Sequence, residues 1–473
     1  MIARIAHKEW IEMIRDGRFR WAAAVLGLLT VSLLMGWRHF REINAQHEAA
    51  RRLTREHWLN QPPKNPHSAA HYGVYAFKPQ MPLSLVDRGV DAYTGVTAWL
   101  EAHKQNEFQY RPAQDATAVV RFGELTAATT LQLLVPLLII LLSFAAFAGE
   151  REQGTLRQLL SLGVATRELA LGKALGIALA LGVLLVPAAL LGATSLTLAS
   201  NVGSISSSLS RIIVLSLGYL LYFAIFTCSA LAVSAFAKSS RQALVVLLAF
   251  WIVNGLVAPR AISDLARRIY PSPSAFEFAQ GIQEDLNQGL DAHAAYSKKA
   301  EDLKTRLLKQ YSVQTVEDLP VNFRGISLQE GEEHGNAVFD KYYNALWDTF
   351  EKQDRAQQFG AVVFPLLAVR SLSMGLAGTD FSQHRHFASA AESYRRHLVK
   401  TMNDDLVYHA KMTQADYTGA TELWARVPDF EYTVPPLRWV LSRYSWSLVL
   451  LILWSATGAA AVFFATRKLG VCV

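Results

Sequence analysis

The sequence predicts a mostly α-helical, polytopic membrane protein with six transmembrane helices and two exported, largely helical regions. Three observations predict this class. Hydrophobic residues make up 51% of the 473, and they gather in runs approaching the roughly 20 residues needed to cross a bilayer core of about 30 Å. The long polar stretches hold no cysteine, since Cys228 lies in an apolar run and Cys472 at the far end, which excludes a disulfide framework there. Lys and Arg are densest in the short connections, as the positive-inside rule demands.

Residues 1–20 open the chain with an amphipathic pattern, Ile5, Trp10 and Ile14 among Arg4, Lys8, Glu9 and Glu12. This stretch is expected to lie in the membrane interface as a helix. Glu9, Glu12 and Asp16, with no small-residue cleavage site after them, argue against a cleaved signal. The spans are expected at 21–37, 127–148, 174–199, 212–237, 243–258 and 445–466. Between them lie a first exported region at 38–126, a charged loop at 149–173, a Gly/Ser-rich connection at 200–210, a tight turn at 238–241 and a second exported region at 259–444. Residues 467–473 form the tail. Within the exported regions, 294–311 and 339–358 carry apolar residues at helical spacing. Gln61-Pro-Pro63, Tyr270-Pro-Ser-Pro273 and Val434-Pro-Pro436 mark turns or domain edges.

Six spans put residues 1–20, the loop, the tight turn and the tail on one side. That side holds 13 of the 46 Lys and Arg, and its excess over Asp and Glu equals the whole formal charge of +7. It is therefore expected to be cytoplasmic, with both termini on it. The basic balance reports topology here, not nucleic-acid binding. Residues 359–378 are apolar enough to tempt a seventh span. Arg370 near their middle would cost about 2.5–3.5 kcal/mol, and Pro365 breaks the first half. A buried or membrane-resting helix of the exported domain is expected instead.

No nucleotide site is legible. A Walker A loop needs Gly-x-x-x-x-Gly-Lys-Ser/Thr, so that backbone N–H groups cradle phosphates and the hydroxyl binds magnesium. Gly172-Lys173 comes nearest, with Arg167 at the first Gly position and Ala174 in place of the hydroxyl. The pattern Glu150-Arg-Glu152-x-Gly154-Thr155-Leu156-x-x-Leu159-Leu160-Ser161, with Gly172-Lys173 eleven residues on, resembles the cytoplasmic coupling loop of ABC-2 type exporter permeases. Such permeases typically have six spans, an N-terminal interface helix and this loop between spans two and three. Many carry Pro shortly after the Ser, where this chain has Gly163.

Other stretches are similar to a branch of these permeases with large periplasmic inserts of uncharacterised function. They are Pro66-His-Ser-Ala-Ala-His-Tyr-Gly73, Arg121-Phe-Gly123, Asn254 with Pro259-Arg260, and Ser373-Met-Gly-Leu-Ala-Gly-Thr-Asp380. The resemblance implies a permease subunit of a bacterial cytoplasmic (inner) membrane that binds no cofactor itself. It would work with a separate ABC ATPase subunit carrying ATP, a second permease (an identical copy or a paralogue) and the surrounding lipid. The residues it assigns to ATPase coupling are Glu150, Arg151, Glu152, Gly154, Thr155, Leu156, Leu159, Leu160 and Lys173.

The loop residues carry a physical argument of their own. Leu156, Leu159 and Leu160 share a helix face at i, i+3 and i+4, free to enter a partner's groove or to fold back on the membrane surface. Glu150 and Glu152 are expected in the first turn of that helix, where the dipole favours negative charge. A solvated connector is the bland alternative.

His67 and His71 are four apart, His384 and His386 flank Arg385, and His397 follows. Histidine is no denser in the exported regions than their length predicts, and no Glu follows His67 to make His-Glu-x-x-His. Structural hydrogen bonding is expected, and neither a metal site nor a catalytic constellation is assigned. Thr129, Thr130, Gln132, Ser216, Tyr219, Tyr222, Ser229 and Asn254 are polar within spans, with helix packing as their expected role. The expected spans contain no charge, which is compatible with a hydrophobic or amphipathic cargo. The long exported regions leave one alternative function, a membrane-tethered periplasmic receptor or assembly factor without transport.

Overall fold

The computed structural model describes residues 1–115, 125–199, 205–289, 298–412 and 416–469. Among them, six helices are long and apolar enough to cross a membrane: Arg18–Leu59, Ala127–Glu152, Thr166–Leu198, Ser208–Phe236, Ser240–Ile269 and Leu437–Leu469. They follow the six apolar runs and overshoot most of them, because a helix ends at a backbone signal and not where hydrophobicity ends. The first continues for 42 residues, about 63 Å, or twice a bilayer core. Its second half, expected as the start of an exported region, is a helical stalk burying Phe40, Ile43, His47 and Trp58. The third begins inside the expected loop, at Thr166. The fifth runs through Arg260 and Arg267 to Ile269, past the expected end at 258.

The second and fifth spans share a distortion. Each contains a π-helical turn, Thr130–Leu134 and Val253–Val257, immediately before a segment with proline at its start, Pro136 and Pro259. Proline supplies no N–H to the preceding turn, and the wider turn absorbs the mismatch. Residues 200–204, the Arg121-Phe-Gly123 stretch and Cys472 lie outside the described residues. The rest of the 200–210 connection is helical from Ile205. Of the 294–311 stretch, the described part is the helix Lys298–Tyr311.

Residues 359–378 supply the helix Pro365–Ala377, whose 13 residues reach about 20 Å and so fall short of a bilayer core. The helix is buried, as expected, but its packing partners are the fourth and sixth spans. Leu366, Leu367, Val369, Leu372 and Leu376 fill that contact, while Arg370 is exposed.

The polar regions build one shared core. Helices Phe323–Gly360 and Phe381–His409 pack together beside a small antiparallel sheet of β1 (Val74–Phe77), β2 (Thr97–Glu101) and β3 (Lys104–Gln105). Val74 pairs with Leu100, and Phe77 with Thr97. Trp58, Ala70, Val74 and Leu100 from the first region meet Phe387, Leu398, Met402 and Trp424 from the second. The Trp58 indole N–H donates to the Trp424 carbonyl at 2.9 Å. Buried Arg395 joins Glu392 at 2.8 Å, Glu332 at 3.3 Å and the Glu101 carbonyl at 3.2 Å.

Candidate functional site

The 149–173 loop is not one helix. Ala148–Glu152 ends the second span, Gly154 takes a left-handed φ of 74°, and Thr155–Ser161 forms a second short helix. Glu150 and Glu152 therefore lie before the break and not in the first turn of the leucine helix, which corrects the dipole expectation. The chain then reverses at Gly163, with φ of 82°. Proline is held near −65° and cannot adopt that turn, so the departure from the usual Pro is built into the backbone.

Glu150, Arg151, Glu152, Thr155 and Lys173 each have an identifiable partner. Lys173 is buried, with its ammonium 2.6 Å from Glu9 Oε1, 2.9 Å from Glu150 Oε1 and over the Phe147 ring at 5.4 Å. Lys8 also reaches Glu150, at 2.7 Å. Burial opposes the Lys8 charge, yet the hydrogen bond and charge of Glu150, with Glu9 and Glu12, hold its pKa above the ordinary value. Arg151 donates to the carbonyls of Ala235, at 2.6 Å, and Ala237. Glu152 accepts from the Ser240 N–H at 3.0 Å and its hydroxyl at 2.6 Å. Thr155 Oγ1 donates to the Glu150 carbonyl at 3.2 Å. Two buried carboxylates thus share one buried ammonium, clamping the loop to the third span and to the helix Ile2–Arg15.

That N-terminal helix docks on the third span through Ile5, Ala6, Glu9 and Met13. Gly172 permits the approach, since a Cβ there would come within 2.6 Å of Ile5. The apolar residues first noticed divide between two faces, with Ile5 turned inward and Ile14 exposed. Lys8 and Glu9 were not singled out as site residues by sequence reasoning. The available signal was an acidic Glu9 four residues from both Ile5 and Met13 on an otherwise apolar stripe.

The leucine face also points inward. Leu156 is buried, and Leu159 and Leu160 are half-buried against the same core, so these side chains anchor the loop. Arg157, Gln158, Ser161 and Leu162 form the exposed apex, with Leu162 at 79% exposure. The N-terminal helix, the loop, Ser240 and Lys468, which lies over the Phe236 ring at 5.7 Å, gather at one end of the bundle.

Toward the other end, intramembrane polar residues satisfy one another. Gln132 Nε2 donates to the Tyr219 hydroxyl at 3.2 Å, and the Tyr222 hydroxyl donates to the Gln132 carbonyl at 3.0 Å. Tyr219 lies 3.1 Å from Ser373, which donates to Asp87 at 2.5 Å. Asn254 Oδ1 accepts from the Leu366 N–H at 3.2 Å, joining the fifth span to the buried helix. Beside this chain a cavity of about 780 Å³ opens between the two π-helical turns. Gln132 and Gly255 line it together with Asp87, Arg88, Arg260 and Arg370. The charged residues of this lining, Asp87, Arg88, Arg260 and Arg370, all lie outside the expected span bounds.

The histidines separate into two situations. His67 and His71 are joined by His103, all three within ligand-sharing distance of 4.8 Å. His384 and His386 do not converge. His384 is buried against the Phe108 ring, and His386 bonds the Tyr432 hydroxyl at 2.9 Å. Burial, with Lys78 and Arg111 nearby, pushes the pKa of His384 down to about 3.

Comparison with known families agrees with this architecture. Residues 3–292 match the family described as ABC-2 family transporter protein. Residues 275–433 match a domain of unknown function, DUF3526. No curated protein matches the chain. With more than half its length matched and six spanning helices, the protein belongs to the ABC-2 transporter family, as a multi-pass permease with an additional domain inserted before its last span.

Proposed function

We propose that the chain is the membrane-spanning subunit of an ATP-driven exporter in a bacterial cytoplasmic membrane. A separate ABC ATPase subunit hydrolyses ATP against the end of the bundle that carries the loop, and a second permease completes the translocation path. The observation that carries this reading is the Glu9–Lys173–Glu150 clamp beneath the exposed apex at Arg157, Gln158 and Leu162. An apex tied by buried charge to the N-terminal helix and the third span transmits a push into the membrane, whereas a loose connector would dissipate it. The basic excess at this end supports a cytoplasmic placement.

The inward leucines make Leu156→Asp a folding variant, so the docking test belongs at the apex. Leu162→Asp and Arg157→Glu in the full-length chain should keep wild-type expression and melting. Co-purification of the ABC ATPase subunit should fall at least tenfold. Undiminished association in the double variant would sink the apex assignment. A chain that recruits no ABC ATPase at all would favour the membrane-tethered receptor or assembly factor.

A further inference from the structure

Three imidazoles converge in the polar domain, where the transport reading has no use for them. His67 and His71 lie one turn apart on the helix Pro66–Tyr72, and His103 occupies the turn between β2 and β3. The three rings sit with centroids 4.8 to 4.9 Å apart. His67 Nε2 and His103 Nε2 approach to 3.1 Å.

The surrounding groups decide where the protons are. Glu332 Oε1 lies 2.6 Å from His103 Nδ1 and accepts from the His103 backbone N–H at 2.8 Å. Arg395 pairs with the other oxygen of the same carboxylate at 3.3 Å. The carboxylate is therefore an acceptor, and His103 Nδ1 carries the proton. His67 Nδ1 lies 3.0 Å from Asn403 Oδ1. The Asn403 amide is oriented by its own donation to Gln329 Oε1 at 3.1 Å, so its oxygen takes a proton from His67 Nδ1. Both rings consequently turn a lone pair on Nε2 toward the other.

Two such nitrogens at 3.1 Å share a cation, either a proton that charges one ring in an N–H···N hydrogen bond or a metal ion. Two nitrogens bound at about 2.0–2.1 Å to one tetrahedral ion stand about 3.3 Å apart, close to the observed spacing. An imidazole whose second nitrogen donates to a carboxylate or carbonyl is the usual arrangement around a metal. The backbone adds an independent sign. His103 has a φ of 65°, a left-handed conformation that costs a residue with a Cβ about 1–2 kcal/mol. Glycine would make the turn without that cost, and would lose the ring.

We propose that His67, His71 and His103 form a three-imidazole site for a first-row divalent cation, with zinc the best fit, oriented by Asn403 and Glu332. Three neutral ligands leave the ion its full charge and a fourth position open on the exposed His71 side, as in exchangeable or catalytic sites rather than closed structural ones. The ligands come from the first polar region, whereas Glu332 and Asn403 belong to the DUF3526 segment. Metal binding therefore ties the inserted domain to the stalk side. The proposal is independent of the transport reading.

The test uses the tag-free full-length chain in detergent micelles, stripped with EDTA and desalted. Zinc is then titrated in, with nickel and copper in parallel, and bound metal is counted by mass spectrometry. One zinc per chain and a zinc-dependent rise in melting temperature are expected. His71→Ala, at an exposed position, and His103→Gly, which suits the left-handed turn, should each weaken zinc at least 100-fold. In EDTA, His71→Ala should melt no lower than the wild type. A wild-type chain that binds none of the three metals stoichiometrically would overturn the site. So would wild-type zinc affinity in both variants.

Discussion

Replacing Lys173 with Met keeps the length of the side chain and removes the cation between two carboxylates. Glu9 Oε1 and Glu150 Oε1 share that ammonium at 2.6 and 2.9 Å. They therefore lie within about 5.5 Å of each other, and at an effective dielectric of about 20 two such charges repel by about 3 kcal/mol. Removing one partner of a buried ion pair costs about 3–5 kcal/mol in general, so the two routes agree. Lys8 offsets only part of this, because its side chain is 44% exposed. The strain falls on the contact between the N-terminal helix and the third span. In micelles, Lys173→Met should melt at a lower temperature and be cut faster by trypsin at Arg15 and Arg18. Adding Glu9→Gln and Glu150→Gln should recover most of the loss by removing the repulsion. A single variant with wild-type melting and proteolysis would refute the clamp, as would a triple variant no more stable than the single.

Three further outcomes follow from the same geometry. Gly172→Val brings a Cβ to within 2.6 Å of Ile5 and should cost about 1–3 kcal/mol by overpacking. It should release the N-terminal helix to trypsin, whereas Gly182→Ala, with nothing within 4 Å, should be silent in the same assay. Arg395→Met strands buried Glu332 and Glu392 and should cost about 3–5 kcal/mol. Lys400→Met breaks only the exposed link to Asp404 and should cost under about 1 kcal/mol, so melting temperatures should separate the two. Acidification acts through His384, whose pKa is lowered to about 3 when folded. The unfolded chain takes up that proton below about 6.5, so the contribution is complete above that pH and is lost as pH falls toward 3. At about 1.4 kcal/mol per pH unit, moving from 6.5 to 5 should cost up to about 2 kcal/mol. His384→Gln should flatten the corresponding decline in melting temperature.

Sequence alone determined the membrane class, the number of spans and the shared end of the loop, turn and N-terminal helix. Those properties are sums over local composition, since transfer of an apolar run into lipid and the bias of Lys and Arg depend little on distant residues. The coupling stretch was legible as a motif for the same reason. Tertiary structure alone decided what its residues do. It turned Leu156, Leu159 and Leu160 inward and left Leu162 at the surface, because a helical face has no direction until something packs on it. It brought Glu9 to Lys173 across 164 positions, because Gly172 lets two helices approach closely enough to bury their charges together. It also set His103 beside His67 and His71. A hairpin turn and a helix meet there only because β1 and β2 pair, and no spacing along the chain encodes that contact.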